Sequence, residues 1–275
     1  MVRYNDDLVK PKERPLFRSA EQGDEAKSVE EALLKRLNPL IKDGLIDEVL
    51  YPVQSGKEAI VYCCRANPSL ERDLVAAKLF RPYETRSFKK DAIYQQGRER
   101  TSRPNARTLR SLGKKTRRGR LNKFNAWITH EERTLRMLRQ AGAHVPAPIV
   151  RVGPVILMDY IGDRERPAPI MINVSIEPEE AERLCASILW NVDLFLAHNR
   201  VHADLSAYNV LYWDNKATII DFPQSVDPRY NPDSFALLVR DIEKITGHFS
   251  KLGAGKVNPT EHALALWRKH VDRQC

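Results

Sequence analysis

The stretch VHADLSAYNVLYWDNKATIIDF, residues 201–222, places three polar side chains at fixed spacings. Asp204 is followed five residues later by Asn209, and Asp221 comes after two short apolar runs. The runs VLYW and ATIID flank the turn-forming dipeptide DN, which is typical of two short strands joined by a tight turn. We therefore expect the second strand to deliver Asp221 to the loop that carries Asp204 and Asn209.

These residue types suit the transfer of a phosphoryl group. The reaction needs a carboxylate near the incoming hydroxyl group and oxygen ligands for Mg²⁺. The spacing H-x-D-x-x-x-x-N, formed here by His202, Asp204 and Asn209, is that of the catalytic loop of protein kinases. We expect Asp204 to accept or orient the proton of the substrate hydroxyl, and Asn209 and Asp221 to bind the metal. His202 is expected to be structural and to bond the backbone near Asp221.

A second motif upstream supplies a cation for the nucleotide. The strand motif VAAK ends in Lys78, at the position of the lysine that holds the α- and β-phosphates of ATP. A helix glutamate should pair with this lysine, and Glu131 and Glu132 are both candidates on a helix predicted to begin near Asn122. Glu131 is favoured because it lies four residues after Trp127, on the same inward stripe.

The remaining elements predict an α+β, two-lobed protein-kinase-like fold, with a mostly β N-lobe and a helical C-lobe. The segments VLYPVQ, AIVYCCRA and DLVAAKLF read as strands, and APIVRVGPVILMDYIG reads as a hairpin that runs into a glycine. No activation segment follows the metal-binding aspartate. The predicted segments are a flexible N-terminal arm 1–27, an N-lobe 28–157 with a basic flexible insert 84–121, a hinge 158–161 and a C-lobe 162–275.

Six motifs occur in a characteristic order: SGKEAIVY, VAAK, ILMDYIG, RPAPI, HADLSAYN and IDFPQSV. Together they resemble the RIO family of atypical serine/threonine protein kinases. The resemblance implies a short S/T-G-K-E-A loop instead of a glycine-rich loop, no activation segment, and a flexible insert before the helix glutamate. The short chain before Ser28 points to the subfamily without an N-terminal winged-helix domain, although DFPQ stands where DVSQ is expected.

The same resemblance, together with the chemistry, assigns a set of residues around ATP. A loop would cover the phosphates, two strand residues would form the roof over the base, and the hinge backbone would pair with adenine. It also implies that Asp221 carries a phosphoryl intermediate if the protein acts as an ATPase switch. The ATP-binding residues beside Lys78 are Ser55, Gly56 and Lys57 in the loop, Val61 and Ala76 in the roof, and Met158, Tyr160 and Ile161 in the hinge.

The net charge of +9 is concentrated in one segment. Residues 98–123 contain eleven Lys and Arg and one Glu, a net +10, so that the other residues sum to −1. Such a segment can hold RNA or a ribosomal subunit through phosphate neutralisation, or it can be a solvated, disordered run. It could equally dock an acidic protein substrate or fold over ATP. It has no aromatic residue for base stacking, and nothing in the sequence indicates specific recognition of DNA.

The interpretation that follows is an ATP-dependent protein serine/threonine kinase, acting by autophosphorylation, as an ATPase switch, or both, with Mg²⁺ or alternatively Mn²⁺. One alternative is a small-molecule kinase of the aminoglycoside or choline phosphotransferase type, which shares H-x-D-x-x-x-x-N. Another is a non-catalytic, ATP-binding scaffold that grips RNA.

The sequence also bears on the compartment. No apolar run approaches the roughly 18 residues that a membrane span requires, and the four cysteines show no C-x-x-C spacing. We expect a cytoplasmic protein with reduced thiols and no membrane partner. The physiological substrate, the oligomeric state and the role of residues 1–27 do not follow from the sequence.

Overall fold

The computed structural model describes residues 3–4, 33–81 and 117–272. The described residues fall into two compact units, which we describe separately. The sheet unit lies within 6–86 and 147–167, and the helical unit within 1–5, 87–146 and 168–275. The predicted N-terminal arm, the helix start at Ser28 and most of the basic insert lie outside the described residues, as does the stretch proposed for RNA binding before residue 117.

The sheet unit is built on five antiparallel strands, and each segment of this unit that was predicted as a strand contributes residues to the sheet. Strand β2 is longer than VLYPVQ and includes Pro52, which an edge strand tolerates where its register shifts. The spatial order is β2-β3-β4-β6-β5. The strands are β2 Ile46–Ser55, β3 Ala59–Ala66, β4 Leu74–Phe80, β5 Pro148–Val152 and β6 Val155–Asp159.

One face of this sheet is covered by a hydrophobic cluster. Alternate residues of the central strands point into it, and Leu37 and Leu40 pack against them from the short helical segment before β2. This segment contains a 3₁₀ turn, Lys35–Leu37, and helix α1, Asn38–Lys42. The spacing of Leu37, Leu40 and Ile41 predicts that all three lie on one apolar helix face. Ile41 is instead 43% exposed, because its neighbour Leu40 takes the inward position on this single turn.

The helical unit contains the four longer helices. Apolar residues at helical spacing predict amphipathic helices over residues 178–199, 232–253 and 258–272. All three are confirmed, and each begins and ends within two residues of these bounds. No helix within the described ranges is long and apolar enough to cross a membrane. The elements are β1 Arg3–Tyr4, α2 Arg117–Gln140, β7 Val174–Ser175, α3 Pro178–Ala197, β8 Val210–Trp213, β9 Lys216–Ile219, α4 Ser234–Lys251 and α5 Pro259–His270.

Helix α2 corrects one predicted boundary. It begins at Arg117 and not near Asn122, so the last residues of the predicted flexible insert are helical. Arginine and leucine have high helix propensity, and the single Gly119 is buried within the helix without ending it. By compactness, α2 belongs to the helical unit, whereas the sequence placed it in the N-lobe.

The hairpin predicted from VLYW and ATIID is confirmed. Strands β8 and β9 pair antiparallel, with Trp213 opposite Lys216. The two turn residues, Asp214 and Asn215, have φ values of 48° and 57°. Left-handed backbone at both positions matches the twist of the flanking strands, and Asp and Asn tolerate it better than most residues.

Candidate active site

His202 ties the loop that carries Asp204 to the strand end that precedes Asp221. The imidazole is 2% exposed, its Nε2 lies 3.1 Å from the Ile220 carbonyl oxygen, and its Nδ1 accepts the Asp204 N–H at 3.3 Å. Because Nδ1 is an acceptor, Nε2 carries the proton and donates it to Ile220. The structural role predicted for His202 is confirmed.

Burial of this imidazole gives the protein a pH-dependent stability. Desolvation lowers the pKa of His202, against the opposing effects of the Ile220 carbonyl and the charges of Asp221 and Asp204. Below about pH 6.5 the unfolded chain therefore binds a proton that the folded chain does not, so stability falls as the pH falls. Urea unfolding at about pH 7.5 and pH 5.5 should show a smaller loss in His202→Gln than in wild type.

The control for this measurement is His262→Gln, on α5, which should keep the wild-type pH dependence. A His202→Gln variant whose free energy of unfolding changes with pH as steeply as that of wild type would contradict the assignment.

Asp241 on α4 is a site residue that the sequence analysis missed. The side chain is 1% exposed, and its carboxylate accepts the backbone N–H groups of Ala203 at 2.6 Å and of Leu205 at 3.1 Å. These two amides flank Asp204, so the buried carboxylate fixes the loop on both sides of it. Burial raises the pKa of Asp241 to about 7, while the two amides and Arg240 act in the opposite direction.

A sequence signal for this role existed. Asp241 stands between Leu238 and Ile245 on the inward stripe of α4, where an apolar residue would be expected. A carboxylate in such a place requires hydrogen-bond donors inside the protein. The sequence does not say which donors, because the bonded amides lie 36 and 38 positions away along the chain.

Two hydrogen bonds hold Asn209, a predicted metal ligand, in place. Its side-chain N–H donates to the backbone carbonyl of Asp204 at 2.8 Å, and its backbone carbonyl accepts the Ile220 N–H at 3.0 Å. Because the first bond uses the side-chain nitrogen of Asn209, the side-chain oxygen is the atom that can serve as a metal ligand. Amide and carboxylate oxygens are the donors that Mg²⁺ prefers, so Asn209 and Asp221 fit this ion.

Two metal ligands are few for an all-protein site. Over the described ranges, no group of three or more His, Cys, Asp or Glu is arranged to hold a metal ion. An ion bound by Asn209 and Asp221 would therefore be completed by phosphate oxygens and water, as is usual for Mg²⁺ in phosphoryl-transfer sites.

The backbone at Asp221 is held in an uncommon conformation. Its φ is 71°, in the left-handed region that a non-glycine residue adopts at some energetic cost. The next residue, Phe222, is fully buried, and its ring packs at 5.4 Å from Phe195 and at 4.5 Å from His202. This anchor fixes the strained turn, and it gives the phenylalanine of DFPQ a physical role.

In the sheet unit, four of the residues predicted to contact ATP share one face of the sheet. Val61 pairs with Lys78 across β3 and β4, and Ala76 pairs with Met158 across β4 and β6. Cross-strand partners point to the same side of a sheet, and these residues alternate with those of the hydrophobic cluster. Lys78 is thus a buried cation on the face opposite the core.

The hinge contains a contact that the sequence did not predict. The hydroxyl groups of Tyr160 and Tyr51 lie 3.0 Å apart, and burial raises the pKa of both. Asp159, the last residue of β6, accepts the Ala147 N–H at 3.0 Å and the Arg72 guanidinium at 3.1 Å. These bonds hold the segment 158–161, where the adenine contacts of Met158, Tyr160 and Ile161 stay predictions.

Arg81 closes the loop SGKE, residues 55–58, by two hydrogen bonds. Arg81 donates to the Gly56 carbonyl at 3.0 Å and to the Ser55 hydroxyl at 3.0 Å. The Gly56 N–H donates to the Ala59 carbonyl at 2.9 Å, so this amide is engaged within the loop. Lys57 is exposed, and its contact with a phosphate stays a prediction.

The two glutamates of α2, Glu131 and Glu132, differ in their burial. Glu131 is 1% exposed, whereas Glu132 forms an ion pair with Arg136 at 2.9 Å on the same helix. This difference agrees with the preference for Glu131. Its pairing with Lys78, which lies in the other unit, stays a prediction.

The antiparallel sheet, the helical unit and the loop anchored around Asp204 are those of a protein-kinase-like fold. Within this class, the family model described as RIO domain matches residues 60–262. The chain belongs to the RIO family. Membership implies the use of ATP and a divalent metal ion in general.

Individual relatives are also named as RIO kinases. The chain is 30% identical over 218 residues to the serine/threonine-protein kinase rio1 of Schizosaccharomyces pombe, covering 78% of this chain and 41% of the relative. It is 29% identical over 265 residues to a probable serine/threonine-protein kinase RIO1 homolog of Encephalitozoon cuniculi, covering 90% and 67%. It is 28% identical over 249 residues to the human serine/threonine-protein kinase RIO1, covering 87% and 40%.

The chain thus spans about 40% of the length of the fission yeast and human relatives. The subfamily, and with it the absence of a winged-helix domain, stays a prediction, because residues 5–32 lie outside the described part of the chain.

Proposed function

We propose that this chain is an ATP-dependent protein serine/threonine kinase of the RIO type that uses Mg²⁺, with Mn²⁺ as an alternative. The proposal covers autophosphorylation and release of phosphate as an ATPase. One observation carries it: Asp204 has a side chain 52% exposed, on a loop whose flanking amides are both fixed by the buried Asp241. A catalytic carboxylate must be accessible to its substrate yet held in place, and this arrangement supplies both properties.

The roles in the helical unit follow from the donor atoms. Asp204 accepts or orients the proton of the acceptor hydroxyl. Asn209 and Asp221 hold the metal ion, which when bound supplies charge neutralisation for the phosphates. The bond from the Asn209 side chain to the Asp204 carbonyl keeps the metal-binding and proton-accepting residues in one rigid loop.

The roles in the sheet unit concern the nucleotide. Lys78 neutralises the α- and β-phosphates, and Lys57 with Ser55 and Gly56 covers them. Val61 and Ala76 form the roof over the base, and the backbone of 158–161 pairs with adenine. The shared sheet face of Val61, Ala76 and Lys78 supports this assignment.

The small-molecule kinase is the less favoured function. Residues 222–233 lead from the metal-binding aspartate directly into α4, and α5 is the only further helix in the described residues. The relatives are named as protein kinases. A cytoplasmic location is part of the proposal and is supported by the free thiols of Cys63, Cys64 and Cys185, all buried.

The test is turnover of γ-labelled ATP with Mg²⁺, following both labelled protein and free phosphate. Wild type should produce one or both products, and Asp221→Asn should lower the rate about 100-fold or more, because a metal ligand loses its charge. The matched control is Asp214→Asn in the exposed β8–β9 turn, which should keep the wild-type rate. Wild type that binds ATP but yields neither product would overturn the proposal.

A further inference from the structure

Helix α4 brings a cation to the catalytic carboxylate. The Lys244 ammonium lies 3.4 Å from Oδ1 of Asp204. One turn earlier, the Arg240 guanidinium donates to the carbonyl of Ala203, and Asp241 binds the amides around Asp204. Three residues of α4 therefore contact this loop, and Lys244 is the one that contacts the carboxylate of Asp204.

The loop itself supplies no such cation. Between Asp204 and Asp221 the only basic residue in the sequence is Lys216. Lys216 begins β9, its side chain is 76% exposed, and it lies 3.9 Å from the carboxylate of Asp214 at the hairpin turn. A positive charge beside Asp204 thus has to come from another element, and α4 provides it.

Stability does not explain this ion pair. The side chains of Lys244 and Asp204 are 40% and 52% exposed. Ion pairs in such surroundings contribute little to folding, since water screens them and both side chains lose rotamer freedom. The pair lies instead where the proposed reaction develops negative charge.

The bonds that form and break in the proposed reaction show where this negative charge develops. The acceptor oxygen forms a bond to the γ-phosphorus, the bond from this phosphorus to the β,γ-bridging oxygen breaks, and ADP leaves with the electron pair. The acceptor proton passes to Asp204 or to solvent. Because Asp204 touches the acceptor hydroxyl, a group that contacts Asp204 is also near the equatorial oxygens of the phosphoryl group in transfer.

We propose that Lys244 is a catalytic residue that binds the γ-phosphoryl group during transfer. Its ammonium has three N–H donors, so that it can keep Asp204 and donate to a phosphoryl oxygen at the same time. The inference rests on the proposed kinase function and extends it to a residue outside the motifs of the sequence. An interaction made chiefly in the transition state raises the turnover rate and leaves nucleotide affinity unchanged.

The experiment measures single-turnover loss of the γ-phosphate, with the enzyme saturating and in excess over ATP, as labelled protein plus free phosphate. The affinity for ADP with Mg²⁺ is measured separately. Lys244→Met, which keeps the length and removes the charge, should lower the rate about 10- to 100-fold with unchanged ADP affinity. Lys244→Arg should recover most of the rate. Lys251→Met, an exposed lysine of the same helix, is the matched control and should behave as wild type.

Three results would overturn the inference. Lys244→Met could turn over at the wild-type rate, it could lose ADP affinity in proportion to its rate, or Lys244→Arg could be as slow as Lys244→Met, which would indicate side-chain packing and not charge. Wild type without any turnover would instead reject the proposed function, and this inference with it. Equal thermal unfolding of all four proteins excludes misfolding as the cause of a lost rate.

Discussion

Asp204→Asn is expected to lower phosphoryl transfer by about 10²- to 10⁴-fold, the range that a positioned general base contributes. The amide cannot take up the acceptor proton, although it has nearly the same shape. Because Asp204 is half exposed and its partner Lys244 is exposed as well, the free energy of unfolding should change by less than about 1 kcal/mol. Turnover of γ-labelled ATP and urea unfolding measure the two quantities on the same preparation.

The matched control is Glu243→Gln, which removes an exposed carboxylate from α4 next to Lys244 and should leave the rate unchanged. An Asp204→Asn variant with the wild-type rate would show that phosphoryl transfer occurs without this carboxylate. In that case the acceptor proton goes to solvent or to the phosphate itself.

Asp241→Ala is expected to affect both folding and turnover. It leaves the amides of Ala203 and Leu205 buried without their acceptor, at about 1–3 kcal/mol each, so the free energy of unfolding should fall by roughly 2–6 kcal/mol. Turnover should fall by about 100-fold or more even where the variant is fully folded, because Asp204 is no longer held in place. Urea unfolding gives the first value, and rates measured well below the unfolding temperature give the second.

Asp193→Ala provides the comparison. Asp193 on α3 accepts Lys269 at 2.7 Å and His270 at 2.5 Å, so it is also a hydrogen-bonded acid, but it contacts no part of the catalytic loop. Its loss should reduce stability and leave turnover unchanged. If Asp241→Ala, once folded, turned over ATP at the wild-type rate, the bonds to the loop would have only a structural role.

Local patterns in the sequence predicted most elements of the fold. The strand AIVYCCRA and the hairpin turn Asp214-Asn215 were placed where the structure has them, since β formers and turn formers there agree with the tertiary structure. The start of α2 was placed too late, because glycine and charge in residues 117–121 indicated a loop while the tertiary structure buries Gly119 within the helix.

The motifs likewise proposed residues for the chemistry, but they gave no sign of the residues that hold the loop in place. Asp204, Asn209 and Asp221 were identified because the reaction demands their functional groups at that spacing. Arg81 closes the loop at Gly56, and Tyr51 meets Tyr160; both contacts join residues that follow no motif.

The sequence by itself thus determined the class of protein, the order of its elements and the donor atoms available for phosphoryl transfer. Only the tertiary structure decided how those atoms are fixed and which charge stands beside Asp204. The physical reason is separation along the chain. Propensity and motif spacing act over a few residues, whereas Asp241 and Lys244 of α4 contact residues of the loop that lie 36 to 40 positions away in the sequence. Such contacts exist only after the chain has folded around a common core.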